Sequence, residues 1–317
     1  MAGHQIPTAG MIDTGRFNIL LCIDGSEESW RGLNYAVKLG QGNDANITLL
    51  YVRPVDNSLL AGVDLARRNM LEWGVELPGM RALKAARERL VELGYLGGSW
   101  SEETVREQAF GDPVGDTMIV YTNDDGAMIT LKLMVSPSVA AGILDECEIN
   151  PYDIVIIAMG GEEGQNFAGK INWSVTRTVA LESSQTVLLA REIEENHGHL
   201  ICIRSENSIA AARKDAVLAN RCNCPIYLMS VAENDGERAM AEEMLARAKT
   251  EIEAAGVEVQ ASFCETGDPV KAIVERGRDY SVIVMADTTR RGFRRFFRTS
   301  TAYEVLRRAH NSVMIVR

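Results

Sequence analysis

The sequence predicts a doubly wound α/β fold, present twice. Three observations carry this. Short apolar runs such as Phe17–Ile23 (FNILLCI), Ile47–Val52 (ITLLYV) and Ile154–Met159 (IVIIAM) lack polar alternation, as strands buried on both faces of a parallel sheet do. Segments with apolar residues at helical spacing lie between such runs, and strand–helix–strand order implies right-handed crossovers. The order then repeats, and both repeats close alike: Gln185–Arg191 reads QTVLLAR and Asn311–Arg317 reads NSVMIVR.

Taken in order, the first strand ends at Asp24-Gly25-Ser26, and Ser26 or Ser29 supplies an N-cap. Trp30, Leu33, Ala36, Val37 and Gly40 then follow at helical spacing, and Pro54 closes the second strand. Met80–Leu93 predicts an amphipathic helix with Leu83, Ala86, Leu90 and Leu93 on one face. Gly97–Gly115 reads as loop. Thr117–Thr122 and Ala127–Val135 flank Asn123-Asp124-Asp125-Gly126, which predicts an antiparallel hairpin. Helices are expected at Val139–Cys147 and Val175–Leu181, with strands at Ile154–Met159 and Thr186–Ala190.

The second half is more compact. Strands are expected at His199–Ile203, Pro225–Val231, Val257–Cys264, Val282–Met285 and Ser312–Val316. Helices are expected at Ser208–Ala219, Glu237–Ala255, Val270–Arg276 and Ala302–Ala309. The polar segment Ile193–Gly198 lacks periodicity, so the division falls between domains 1–194 and 195–317, the first carrying an insertion at about 54–135. Each domain is expected to hold a mostly parallel five-stranded sheet, the first with an inserted hairpin.

A net charge of −11 on 317 residues argues against a broad nucleic-acid or membrane surface. No apolar segment approaches the ~20 residues of a membrane helix, and Met1–Gly15 lacks signal-peptide form, so a cytoplasmic protein is expected. The six cysteines read as small core residues in a reducing compartment. Cys222-x-Cys224 alone is weak metal evidence. His4, His197, His199 and His310 do not cluster with a nucleophile in the sequence, and no catalytic motif occurs, so no enzymatic activity is expected.

Ligands of open parallel sheets bind beyond the carboxyl ends of the strands. The residues to inspect in the first half are therefore Asp24-Gly25-Ser26, Val52-Arg53 and Met159-Gly160-Gly161. Gly160, Gly161 and Gly164 form either a plain turn or a loop exposing N–H groups to phosphate, with Ser174 opening the next helix. Arg290, Arg291, Arg294, Arg295 and Arg298 form one dense basic cluster, read as a solvated loop or as an anion or acidic-partner dock beside Ser300.

ILLCI followed by Asp24-Gly25-Ser26, then ITLLYV, then IVIIAMGG before Ser174-Val175 and TVLLAR, together resemble a universal stress protein domain. The resemblance spans both halves, leaving Pro54–Val135 mostly outside, and implies a Rossmann-like fold of the adenine-nucleotide α-hydrolase type. Nucleotide-binding members carry G-x2-G-x9-G-[S/T]. The resemblance implies that Asp24 and Val52 hold adenosine and that the glycine loop (Gly160, Gly161, Gly164) with Ser174 holds the phosphates, with Met159 and Val175 matching flanking positions of the nucleotide site. Here the second and third motif glycines fall on Glu163 and Trp173. In the second half Ala286, Thr289 and Thr299 replace all three, Ser300 survives, and Arg204 stands where the ribose-binding Asp should. An arginine cannot accept hydrogen bonds from a ribose. ATP or another adenine nucleotide is thus expected in the first half alone, with no metal beyond one accompanying the nucleotide. The family also implies pairing through last strands, either as a pseudo-dimer within the chain or a homodimer. The expected role is stress-response regulation; the alternative is a nucleotide-free scaffold for a protein partner.

Overall fold

The computed structural model describes residues 15–55, 78–109, 112–158, 171–191, 197–286 and 300–317. In the N-terminal half the described elements are β1 (Phe17–Cys22), α1 (Glu27–Asn43), β2 (Ala45–Pro54), α2 (Pro78–Glu92), β3 (Ser101–Ala109), β4 (Asp112–Thr122), β5 (Met128–Ser136), α3 (Val139–Ile149), β6 (Ile154–Ala158), α4 (Trp173–Glu182) and β7 (Thr186–Ala190). The C-terminal half holds β8 (His199–Cys202), α5 (Glu206–Arg221), β9 (Ile226–Ala232), α6 (Arg238–Ala254), β10 (Val259–Thr266), α7 (Pro269–Gly277), β11 (Val282–Ala286), α8 (Thr301–Arg308) and β12 (Ser312–Val316).

All described strands form one twelve-stranded sheet in the order β10-β9-β8-β11-β12-β7-β6-β1-β2-β5-β4-β3. The two expected units are thus joined, through pairing of their last strands within the chain, into one continuous sheet. Within it, β5-β2-β1-β6-β7 and β10-β9-β8-β11-β12 are parallel units of the same topology. The second strand of the expected inserted hairpin, β5, is instead the outer strand of the parallel unit, pairing parallel with β2; the added strands are β4, antiparallel to β5, and β3, antiparallel to β4.

Each strand feeds two cores because successive side chains point to opposite faces. Ile19 and Leu21 join α1, α2, α5 and α6 on one face, through Leu33, Leu83, Ala212 and Leu245. Leu20 and Cys22 join α3, α4, α7 and α8 on the other, through Ile143, Val179, Ile273 and Val305. The expected loop Gly97–Gly115 instead contains β3. Its sequence, SEETVREQA, has almost no apolar face because an edge strand need bury little. Among the described residues no strand lies beyond β3, and its exposed Glu102 and Glu103 disfavour pairing there.

The halves meet where β7 and β12 pair antiparallel, Leu188 opposite Met314. The matching terminal arginines exchange across this seam. Arg191 Nη2 donates to the Leu306 carbonyl at 2.7 Å, and Arg317 Nη2 donates to the Ala180 carbonyl at 2.5 Å. Each guanidinium therefore satisfies a last-turn carbonyl of the other half's helix, where positive charge is favoured.

Candidate functional site

The strand order reverses between β1 and β6 in one half and between β8 and β11 in the other. These are the two topological switch points. Ile23 N–H bonds the Leu50 carbonyl at 2.9 Å, and Ile203 N–H bonds the Met229 carbonyl at 2.7 Å. Asp24 and Arg204 come next in each chain segment, so they occupy the same place in equivalent crevices.

Asp24 is 7% exposed. Its Oδ1 accepts from Ser26 N–H at 2.9 Å, from the Ser26 hydroxyl, and from the Ser29 hydroxyl at 2.7 Å. Oδ2 accepts from Ile171 N–H at 3.0 Å. Gly25 makes the turn possible with φ +75°, a conformation that strains residues with a Cβ. Ser26 caps α1, and Ser29 also accepts from Asp24 N–H at 3.1 Å. The carboxylate thus ties the end of β1 to α1 and to the segment leading into α4. Burial works against its charge, but the donors from Ser26, Ile171 and Ser29 outweigh burial and hold its pKa below the ordinary value.

In the C-terminal half the turn is one residue shorter, Arg204-Ser205. The serine that tightens it survives: Ser208 Oγ accepts from Arg204 N–H and Ser205 N–H, both at 2.8 Å. The arginine side chain turns outward to Glu233, 2.6 Å away, and both are exposed. A cavity of about 430 Å³ opens here, with Cys202, Met229, Ile273 and Met285 in its wall and Arg204 and Ser300 on its lining. Room for a ligand therefore exists over the half that has lost its acidic anchor.

The remaining expected residues divide three ways. Val52 is buried at the end of β2, where the close approach of Gly142 on α3 packs against it. Ser174 does not open its helix, a correction to the expectation: Asn172 is the cap, its Oδ1 accepting from Val175 N–H at 3.1 Å. The helix starts earlier because Asn172 caps well, which leaves Ser174 exposed in the first turn. Ser300 does cap α8, accepting from Tyr303 N–H at 3.2 Å. Met159, Gly160, Gly161, Gly164, Arg290, Arg291 and Arg294 lie outside the described residues. Trp173, at the third glycine position of the expected motif, pairs its ring with Tyr303 of the other half, centroids 6.3 Å apart.

The family model of the universal stress protein family matches residues 15–191 and again 200–317. The chain belongs to this family. No curated protein matches it in sequence. Among solved structures, a universal stress protein from Archaeoglobus fulgidus is similar over 95% of this chain and 98% of its own, with TM-score 0.61 and 17% identity. One from Pseudomonas aeruginosa, described as a putative member, covers 95% and 93% at TM-score 0.57 and 13% identity. A shorter Archaeoglobus fulgidus universal stress protein, solved with dAMP, covers 38% of this chain and 97% of its own, at TM-score 0.32 and 19% identity. As in the family's doubly matched pattern, the chain is two family units in one sheet. No helix among the described residues is long and apolar enough to cross a membrane.

One constellation escaped the sequence reading. His199 does lie with a nucleophile: its Nδ1 is 2.9 Å from Asp215 Oδ2, and its ring lines one recess with Cys224, whose thiol donates to the Cys222 carbonyl at 3.7 Å and whose thiolate the imidazole would stabilise. Tyr35 of α1 reaches His199 Nε2 at 3.5 Å, which brings the other half into the cluster. The residues are far apart in sequence, and only the pairing of β8 with β9 and the packing of α5 bring them together. Among the described residues, no group of three or more His, Cys, Asp or Glu is arranged to hold a metal ion.

Proposed function

We propose that this protein is a stress-response regulator that takes an adenine nucleotide, ATP or AMP, in its N-terminal crevice. The C-terminal half is its structural mate. The observation that carries the reading is the unequal pair at the switch points: a buried, ionised carboxylate at Asp24 and an exposed, glutamate-paired guanidinium at Arg204. Ribose hydroxyls donate to a carboxylate and cannot donate to an arginine. In the N-terminal crevice a ribose hydroxyl would compete with Ile171 N–H for Asp24 Oδ2. The first turn of α4 follows directly, and its helix dipole and the exposed Ser174 hydroxyl would favour phosphate, while Asn172 already caps the Val175 N–H. Occupancy would then be felt at Trp173 and, through its ring contact, at Tyr303. The test is calorimetric titration of ATP into the wild type and Asp24→Asn, both checked for folding by circular dichroism. Wild-type binding weakened about tenfold or more in the variant is the expected result. Equal affinities in two folded proteins would remove the reading.

A second reading, a nucleotide-free scaffold, draws on a different observation. Four protein donors already serve Asp24, and Trp173 packs against the partner half. Native mass spectrometry separates the two, because the scaffold retains no nucleotide when the chain is purified gently.

A further inference from the structure

Outside both crevices, His199, Asp215, Cys222 and Cys224 line a small recess with Tyr35, Lys38 and Leu39 of α1. It lies at the contact of α1 with α5, where the two halves touch on one face of the sheet. The approach there is close: a Cβ at Gly42 would stand 2.8 Å from both the Arg221 carbonyl oxygen and Cys222 Sγ. Arg221 Nη1 donates to Asn43 Oδ1 at 3.2 Å across the same contact. His199 and Asp215 are 4% and 1% exposed, so an ion pair is buried where apolar residues would pack at lower desolvation cost. Cys224 is half-buried beside them, on a turn that Asn223 makes with φ +56°.

We propose that Cys224 is a peroxide-reactive thiol, primed by the His199–Asp215 pair and set against the contact that joins the two halves. The electrostatics agree with the geometry. Burial opposes the thiolate and Asp215 repels it, but His199 and Lys38 outweigh them and bring the thiol below its ordinary value. The neighbouring thiol Cys222 goes the other way, pushed up by burial and Cys224 to about 11. Cys22, Cys147, Cys202 and Cys264 are all raised as well, chiefly by burial. Cys224 thus stands apart from the other five, in the electropositive and partly open setting that reactive thiols need.

In the step itself, the Cys224 thiolate attacks one oxygen of hydrogen peroxide. The S–O bond forms as the O–O bond breaks, and the departing hydroxide takes the proton of the His199 imidazolium to leave as water. Sulfur gives up two electrons, peroxide accepts them, and the product is a sulfenic acid beside a neutral imidazole that regains its proton from solvent. The recess offers about 20 Å³, roughly one water's worth of space, so the added oxygen presses on Tyr35 of α1. Oxidation is thereby read out as a looser contact between the halves.

The test uses the reduced full-length chain at neutral pH, with site-resolved mass spectrometry after limited peroxide and dimedone, and separately after limited iodoacetamide. Cys224 is expected to label about tenfold faster than Cys264, which is also half-buried. His199→Gln and Asp215→Asn are expected to erase most of that advantage. Equal labelling of Cys224 and Cys264 in the wild type overturns the proposal, as does an undiminished advantage in a folded His199→Gln protein. Should both variants fail to fold, the wild-type alkylation rate against pH decides. A midpoint below the ordinary cysteine value of about 8.5 supports the proposal, and a midpoint at or above it refutes it.

Discussion

At the end of its first strand the N-terminal half buries a carboxylate under four protein donors, while the C-terminal half extends a guanidinium toward Glu233 over a cavity. The backbone scaffolds are alike: same strand order, same serine tightening the turn, same position in the crevice. What differs is which half uses its switch point to hold itself together. An acidic residue at that position becomes a clasp because backbone N–H groups just ahead of two helices and serine hydroxyls converge there as donors. An arginine has nothing to offer those donors, so it leaves for solvent and the crevice stays open.

The largest effect should come from breaking the clasp. Asp24→Ala strands the donors of Ser26, Ser29 and Ile171, and is expected to lower unfolding free energy by about 3 kcal/mol in urea denaturation. Next is pH, on which the halves should fail at opposite ends. Asp24 has a folded pKa below 3.8, so its contribution is present above that value and lost as acid carries the pH through the folded one. His199 is disfavoured by burial but carried by Asp215 from 6.5 up to about 10. Its contribution is therefore complete below pH 6.5 and lost as the pH rises through about 10. Thermal melts should show this alkaline loss as about 5 °C in the wild type, and a much flatter slope in His199→Gln. A third, smaller effect is expected from Trp173→Ala, which removes the ring contact with Tyr303 for about 1 kcal/mol, measured in the same denaturant series. Least of all, Arg204→Ala should change stability by no more than about 0.5 kcal/mol, since its ion pair with Glu233 is exposed. A large loss there, or a small one at Asp24, would erase the contrast between the halves.

Much of the architecture was legible because buried parallel strands are short, continuous and apolar. FNILLCI and IVIIAM could be little else, and their equivalents in the second half followed. The strand β3 was not legible, since an exposed edge strand carries charges on both faces and has the composition of a loop. Helix α4 was placed, but its start was not: Asn172 and Ser174 are both good caps, and tertiary position selected Asn172. The identity of Asp24 as the distinguishing residue was also readable, because the turn it occupies is local to one strand and one helix.

By itself, the sequence determined the repeat, the buried parallel strands it recognised and the exchange of Asp24 for Arg204, all written in periodicities and turn residues a few positions apart; that β5 completes the N-terminal unit came from its pairing with β2. Only the tertiary structure decided that the two units share one sheet, that Arg191 and Arg317 serve each other's helices, and that His199, Asp215 and Cys224 meet against Tyr35. Those contacts join residues well separated along the chain. Local propensity is blind to them, and strand pairing and helix packing alone can bring them together.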